Sequence, residues 1–168
     1  MVTFGVGDRS ASGGRIRLRS ATSSDVDDLV QLHLDTVGVA YRDFFPVHAI
    51  RPSAEVLSVL WQRDLEAAHD VIVAVDESTM VGSAVARTGG DLARLHVHPT
   101  RWREGIGGRL HDAAIEVLRS AGYSECGVWV IDRNTAARSL YERAGWRVVP
   151  HQELVELGVT EVRYALTL

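Results

Sequence analysis

The sequence predicts a single α/β domain of the α+β kind, with a mixed, mostly antiparallel sheet of about six to seven strands flanked by about four helices. Three observations lead there. Residues 71–98 hold three strand-like runs joined by short turns, which makes an antiparallel meander. A strongly amphipathic helical run over 106–121 follows, and a further strand over 125–131 comes after that helix. The 168 residues are enough for one core and show no internal repeat.

Residues 1–14 are rich in Gly and Ser with little to bury, and are expected as a loose tail; the domain is expected over 15–168. Arg15–Arg19 alternates basic and apolar residues, a first strand. Thr22-Ser-Ser-Asp supplies helix caps, and Val26, Leu29, Val30, Leu32, Leu34 and Val37 form the helix's apolar stripe, with a stop expected near Gly38. An aromatic segment, Tyr41-Arg-Asp-Phe-Phe-Pro, follows. A second helix is expected from about Ser53 to Ala68, with Val56, Leu57, Leu60, Trp61 and Leu65 on one side. Val71–Val75 and Met80–Arg87 are strands, turned by Asp76-Glu-Ser-Thr and by Gly89-Gly90.

The central stretch is the most informative. In Ala93–Val97, Ala93, Leu95 and Val97 are expected on one face and Arg94, His96 and His98 on the other. Pro99 removes a donor and ends the strand. A loop closing on Gly105-Ile106-Gly107-Gly108 leads into a helix with Leu110, Ala113, Ala114, Val117, Leu118 and Ala121 on one face and Gly122 as its stop. Glycines allow close backbone approach, and a helix N-terminus offers free N–H groups and a positive dipole end, so this junction is an anion cradle suited to phosphate. A nucleotide P-loop is excluded, because the chain has no lysine and all 18 basic residues are Arg. The dinucleotide fingerprint would need a third glycine where Leu110 stands.

Glu125–Ile131 follows a helix and is expected to run parallel to the central strand. Asn134 caps a helix carrying Ala137, Leu140, Tyr141 and Ala144, stopped by Gly145. Residues 146–155 and 161–168 form a closing hairpin with Gly158 in its turn.

Leu95-His96-Val97-His98-Pro99, then Gly105-Ile106-Gly107 and Leu110, resembles the acetyl-CoA signature of GNAT-superfamily N-acetyltransferases. Asn134, Ala137, Tyr141 and Gly145-Trp146 resemble that family's second signature, in the right order. The resemblance implies a GNAT-like domain that binds acetyl-CoA as cosubstrate. The backbone of Leu95, His96 and Val97 would pair with the pantetheine arm, and amides of Trp102, Arg103, Glu104, Gly105, Ile106, Gly107 and Gly108 would hold the diphosphate. Asn134 and Ala137 would meet the arm. Trp102 stands where relatives carry Arg or Gln, and Arg103 where they carry a loop glycine; backbone N–H groups do the holding, so the cradle survives both changes. Glu104 is expected to face solvent, offset by Arg101, Arg103 and Arg109.

The same resemblance implies acetyl transfer to a primary amine by direct attack in a ternary complex, with a non-catalytic acyl-CoA-binding regulatory or interaction domain as the competing reading. Tyr141 would lie near the sulfur. A phenol, pKa about 10, stays protonated at neutral pH and can donate to a departing thiolate whose thiol has a pKa of about 8.5. The amine must shed a proton, and Asp91 or His96 is the candidate base. A backbone N–H near Val97 would hold the carbonyl oxygen. Tyr41, Phe44, Phe45 and Trp61 lie on segments that wall the acceptor site in the family, with core packing an equal reading.

Net charge is −4, which argues against general nucleic-acid binding. No apolar run is long enough to span a bilayer, and no signal peptide is evident, so a cytoplasmic protein acting on an amine-bearing small molecule or peptide is expected. His96-x-His98 has no third ligand nearby, so no metal is expected. The lone Cys126 reads as core filler. The final hairpin leaves an edge strand on which a homodimer could pair.

Overall fold

The computed structural model describes residues 16–40, 42, 44–45, 52–67, 69–156 and 158–168. The 1–14 tail lies outside them, as does Tyr41. Among the described residues the elements run β1 (Arg17–Ser20), α1 (Val26–Ala40), α2 (Ala54–Glu66), β2 (Asp70–Asp76), β3 (Thr79–Arg87), β4 (Asp91–Val97), α3 (Ile106–Ser120), β5 (Glu125–Ile131), α4 (Thr135–Arg143), β6 (Arg147–Glu156) and β7 (Val159–Thr167). Short 3-10 turns at Ser23–Asp25 and Pro99–Arg101 lead out of β1 and β4. The seven strands form one sheet in the order β1-β2-β3-β4-β5-β7-β6, all antiparallel except β4 with β5.

Two cores sit on the two faces. On one, Ile106, Leu110, Ala114, Val117 and Leu118 of α3, with Tyr141 of α4 and Trp146, cover Ile72, Ala84, Leu92, Val128, Val130 and Tyr164. On the other, Leu29, Val30, Leu57 and Trp61 of α1 and α2 cover Val71, Val73, Val75 and Val85. Gly82 lets α3 approach. A Cβ there would lie 2.7 Å from Leu110 Cδ1 and 2.9 Å from the His96 carbonyl oxygen.

Three local expectations are corrected. α1 does not stop at Gly38 but continues to Ala40; a helical glycine costs about 1 kcal/mol against alanine, which one position can absorb without ending the helix. β1 is described over Arg17–Ser20, and Arg15 lies outside the described residues. Val56 of α2 and Ala121 after α3 are exposed rather than on the buried helix faces. The alternation in β4 is interrupted. Val85 pairs with Arg94 and Ala86 with Leu92, so Ala93 is the extra residue of a β-bulge. Leu92, Leu95 and Val97 therefore join the α3 core, while Ala93 packs on the α1–α2 side with His96 and Arg94.

The feature that positions the site is the junction of β4 and β5. They run parallel but pair only at Asp91 and Gly127. Beyond that point the ladder is broken, and the strands flank a gap toward their C-terminal ends, where α3 and α4 begin. Parallel strands that part at such a switch leave the crevice in which α/β folds seat ligands.

Candidate active site

His98 accepts the Thr100 N–H (3.4 Å) through Nδ1 and caps the turn after β4. Arg103 (φ 71°) and Gly105 (φ 79°) both take left-handed backbone, and Trp102–Gly105 are exposed. Ile106 is buried and roots the loop in the core. The first α3 amide to bond backward is Arg109 N–H, to the Gly105 carbonyl (3.2 Å). The Ile106, Gly107 and Gly108 N–H groups precede it in the first turn, where helix donors have no partner within the helix. Alternating left-handed residues before a helix N-terminus make a nest for an anion.

Glu104 is exposed, as expected, and is ion-paired there. Arg101 Nε donates to both its carboxylate oxygens (2.9 and 2.8 Å), and Arg101 Nη1 donates to Asp76 (2.9 Å), stapling the loop to the end of β2. These two carboxylates hold the Arg101 pKa well above its ordinary value. Arg109 is engaged elsewhere, on the Ile16 carbonyl (2.9 Å). Arg101 is thus the cation that offsets Glu104 directly.

The β4 edge facing the gap carries backbone donors. His98 N–H bonds to Val81 of β3 (2.9 Å), and ladder bonds alternate in antiparallel pairs. The N–H and C=O groups of Leu95 and Val97 therefore point away from β3, toward the gap. The Val97 carbonyl accepts from Trp102 Nε1 (2.8 Å), with Thr36 Oγ1 at 3.4 Å. Trp102 thus meets the β4 edge through its ring, while its own N–H, expected on the diphosphate, donates to the Pro99 carbonyl (3.4 Å) and closes the turn.

Across the gap, Asn134 caps α4 by accepting the Ala137 N–H (3.1 Å), and Ala137 is partly buried. Tyr141 is buried on the inner side of α4, its ring 5.4 Å from Trp146 and 6.4 Å from His111. Trp146 donates to His111 Nε2 (2.8 Å), pinning the segment after α4 onto α3.

The two candidate bases occupy different surroundings. Asp91 lies where β4 meets β5, both its oxygens in the fork of Arg163 from β7. The Arg163 guanidinium lies over Trp129 and over Gly127, where any Cβ would collide with it. His96 is buried among His33 (ring centroids 4.5 Å) and Trp61 (6.3 Å). Burial pushes the His33 imidazole down to about 4 and His96 well below its ordinary value; the nearby Arg94 cation acts in the same direction on both. Arg94 stacks on Trp61 and pairs with the buried Asp64, and burial lowers its own pKa. So Arg94 and His96, on the polar face of the strand by sequence, are in fact enclosed by α1 and α2.

Trp61 is fully buried in that layer, and Phe44 and Phe45 are half-buried just beyond α1. His98 is turned to Thr100 (2.8 Å) and Asp35 (3.6 Å), away from His96's neighbours. Among the described residues no group of three His, Cys, Asp or Glu converges as a metal site. Cys126 is buried, and burial pushes its thiol up to about 11, which suits packing rather than nucleophilic attack.

Sequence reading missed three residues here. His33 falls four after Leu29 on the apolar stripe of α1, and that position was the available signal. The partners Asp64 and Arg163 come from distant segments, and no spacing announces them.

Residues 35–146 match the acetyltransferase (GNAT) family. The chain belongs to the GNAT acetyltransferase family. Solved structures share the fold at low identity. An N-acetyltransferase from Staphylococcus aureus Mu50 is 13% identical over 91% of this chain and 98% of its own, with a TM-score of 0.72. YncA, a putative acetyltransferase from Salmonella typhimurium, solved with its cofactor acetyl-CoA, is 15% identical over 91% and 94%, TM-score 0.71. The PaiA N-acetyltransferase from Thermoplasma acidophilum, solved with coenzyme A, is 21% identical over 88% and 97%, TM-score 0.69. No match was found among curated protein sequences. Family membership makes this GNAT chain an acyl-CoA-dependent acetyltransferase, and no helix among its described residues is long and apolar enough to cross a membrane.

Proposed function

We propose that the chain transfers acetyl from acetyl-CoA to a primary amine, on a small molecule or peptide, by direct attack within a ternary complex. The observation that carries this is the parted β4–β5 pair, with unpaired N–H groups of Leu95 and Val97 on one edge and a diphosphate nest at its mouth. The residues fit the cosubstrate. The exposed loop Arg103–Gly105 and the first turn of α3 offer amides to the diphosphate, and Gly108 faces open space. An extended arm carrying amides would add to the β4 edge as a strand would.

The chain's own groups divide the work as follows. The Val97 N–H donates to the carbonyl oxygen as charge develops on it, and the Leu95 N–H is left to the pantetheine arm. His96 accepts the proton of the acceptor nitrogen as the N–C bond forms. A lysine-like amine costs on the order of 4–5 kcal/mol to present neutral at pH 7, so this acceptance matters. His96 is preferred to Asp91, whose oxygens are occupied by Arg163. Tyr141 donates its phenolic proton to sulfur as the C–S bond breaks. The products are the acetamide and the free thiol, with one proton returned to solvent.

Thiol release from acetyl-CoA across a panel of amines tests this. At least one amine should release thiol, and Tyr141→Phe should lower kcat by roughly 10²-fold with little change in acetyl-CoA affinity. An acetyl-CoA-induced rise in Tm with no thiol released by any amine would instead favour a binding module.

A further inference from the structure

The diphosphate nest opens α3, the phenol of Tyr141 sits on α4, and a buried hydrogen bond ties the two helices together. Trp146 Nε1 donates to His111 Nε2 (2.8 Å), and both residues are buried. Trp146 also grips α4 through its backbone, its N–H donating to the Tyr141 carbonyl (3.0 Å). His111 falls four residues after Gly107, on the same face of α3, and a Cβ on Gly107 would stand 3.4 Å from Leu140 Cδ1 of α4. The Tyr141 ring is surrounded by Trp146 (5.4 Å), His111 (6.4 Å) and Tyr164 of β7 (6.4 Å). The Tyr164 hydroxyl donates to Glu142 (2.7 Å) and accepts from Arg138 Nε (2.9 Å), so α4 is tied to β7 on that side and to α3 through His111. Apolar residues at 111 and 146 would fill the same space with no partner to satisfy. An indole N–H and an imidazole buried together cost stability unless they meet at bonding distance, and that requirement fixes ring orientation more tightly than packing does. Because Nε2 accepts, Nδ1 carries the ring proton and donates it to the Asp112 carboxylate (2.9 Å), which holds the tautomer the bond needs.

We infer that His111 is a positioning residue for Tyr141: by accepting the Trp146 indole N–H it sets the register of α4 on α3 and so the place of the phenol. The inference rests on the proposed proton transfer from Tyr141 to sulfur. The nest on α3 fixes one end of the cosubstrate, and an arm extended along β4 has a set length, so the sulfur's place is referred to α3. The phenol's place is referred to α4. Only the fit between the two helices brings the hydroxyl within reach of the sulfur, and a misplacement of about 1 Å can cost on the order of 10²-fold in rate. Leu140 against Gly107 spaces the helices at the first turn of α3. The His111–Trp146 bond does so one turn further on, beside Tyr141. His111 acts through Trp146 and touches neither substrate nor the reacting atoms.

Double-mutant kinetics and NMR test this together. With any amine that the wild-type enzyme acetylates, His111→Leu should lower kcat about tenfold and leave both KM values within about twofold. His111→Gln, whose amide oxygen can accept from Trp146, should restore kcat to within about threefold of wild type. In a Tyr141→Phe background, His111→Leu should cost less than about twofold more, because the group it positions is already gone. An equal loss in both backgrounds, or no loss in the first, overturns the inference. In the unaltered chain, ¹⁵N-histidine spectra should show His111 protonated on Nδ1 and not on Nε2 at pH 8, and the Trp146 indole proton should be protected from exchange for hours. A proton on Nε2, or an indole proton exchanging within seconds, shows that the bond is not made and overturns the inference without any variant, including where His111→Leu does not fold. If the wild-type enzyme acetylates no amine, or an active enzyme is indifferent to Tyr141→Phe, the underlying reading fails first and the positioning role falls with it; a Tyr141-dependent enzyme indifferent to His111→Leu sinks the positioning role alone.

Discussion

Lowering the pH from 8 to 5 should remove about 2 kcal/mol of folding stability through His33 alone. In the unfolded chain this imidazole has its ordinary pKa of 6.5; in the folded protein burial and Arg94 depress it to about 4. The neutral ring is favoured in the fold. The stability is therefore fully present above pH 6.5 and is lost as pH falls toward 4, because the unfolded state gains a proton that the folded state refuses. At pH 5 an unfolded histidine is almost fully protonated and a ring with pKa about 4 is about one-tenth protonated, which sets the figure. His33 borders a cavity, so solvent screening trims it toward 1–2 kcal/mol, while His96 adds to it in the same direction. Urea unfolding followed by circular dichroism at pH 8, 7, 6 and 5 measures this. With an m-value of about 2 kcal/mol per molar, the midpoint should drop by about 1 M. His33→Gln should flatten the slope by its share. A midpoint constant from pH 8 to 5, or a slope untouched by His33→Gln, would refute the reasoning.

Three further outcomes follow from the same structure. Asp25, lowered to about 2 chiefly by its hydrogen bonds with Arg19, contributes stability above pH 3.8 that is lost as pH falls through 2; Asp25→Asn should cost about 1–2 kcal/mol at pH 7, discounted for the part-exposed Arg19, and should remove the acid slope between pH 4 and 2, as denaturant titrations would show. Gly82→Ala should cost about 1–3 kcal/mol, because its Cβ meets a backbone oxygen at 2.9 Å and α3 must move off the sheet; calorimetry should show weaker acetyl-CoA binding as the nest shifts with it, and an unchanged affinity would separate helix position from cradle. Arg103→Gly should gain up to about 1 kcal/mol by relieving a left-handed backbone at φ 71°, while acetyl-CoA affinity stays within about threefold; a tenfold loss would mean that the Arg103 side chain itself holds the ligand.

Much of the fold was legible because its signals are local. The α3 stripe at Leu110, Ala114, Val117 and Leu118, the glycine after it and the proline before it each act within a few residues. The meander, the parallel strand after the helix and the closing hairpin follow from strand spacing and connection length. The loop that enters α3 at Gly105 was legible for the same reason, since a helix N-terminus after a glycine loop is a local object. The side-chain chemistry beside it was not. Alternation assigned Arg94 and His96 to the polar face of β4, but what covers that face depends on α1 and α2, which lie far upstream and beyond two other strands. One bulge at Ala93 also shifted the strand's faces, and nothing in the apolar pattern marks where a strand takes an extra residue.

The order of elements, the glycine-lined turn into α3 and the caps at Ser53 and Asn134 were decided by the amino-acid sequence itself, through backbone preferences and periodic burial that need no distant partner. The tertiary structure alone decided that Arg163 would hold Asp91, that Arg101 would clamp Glu104, and that the rings of His33 and Trp61 would enclose His96. Such pairings depend on which surfaces close against one another, and charge and burial at a point are properties of the assembled neighbourhood rather than of any one segment.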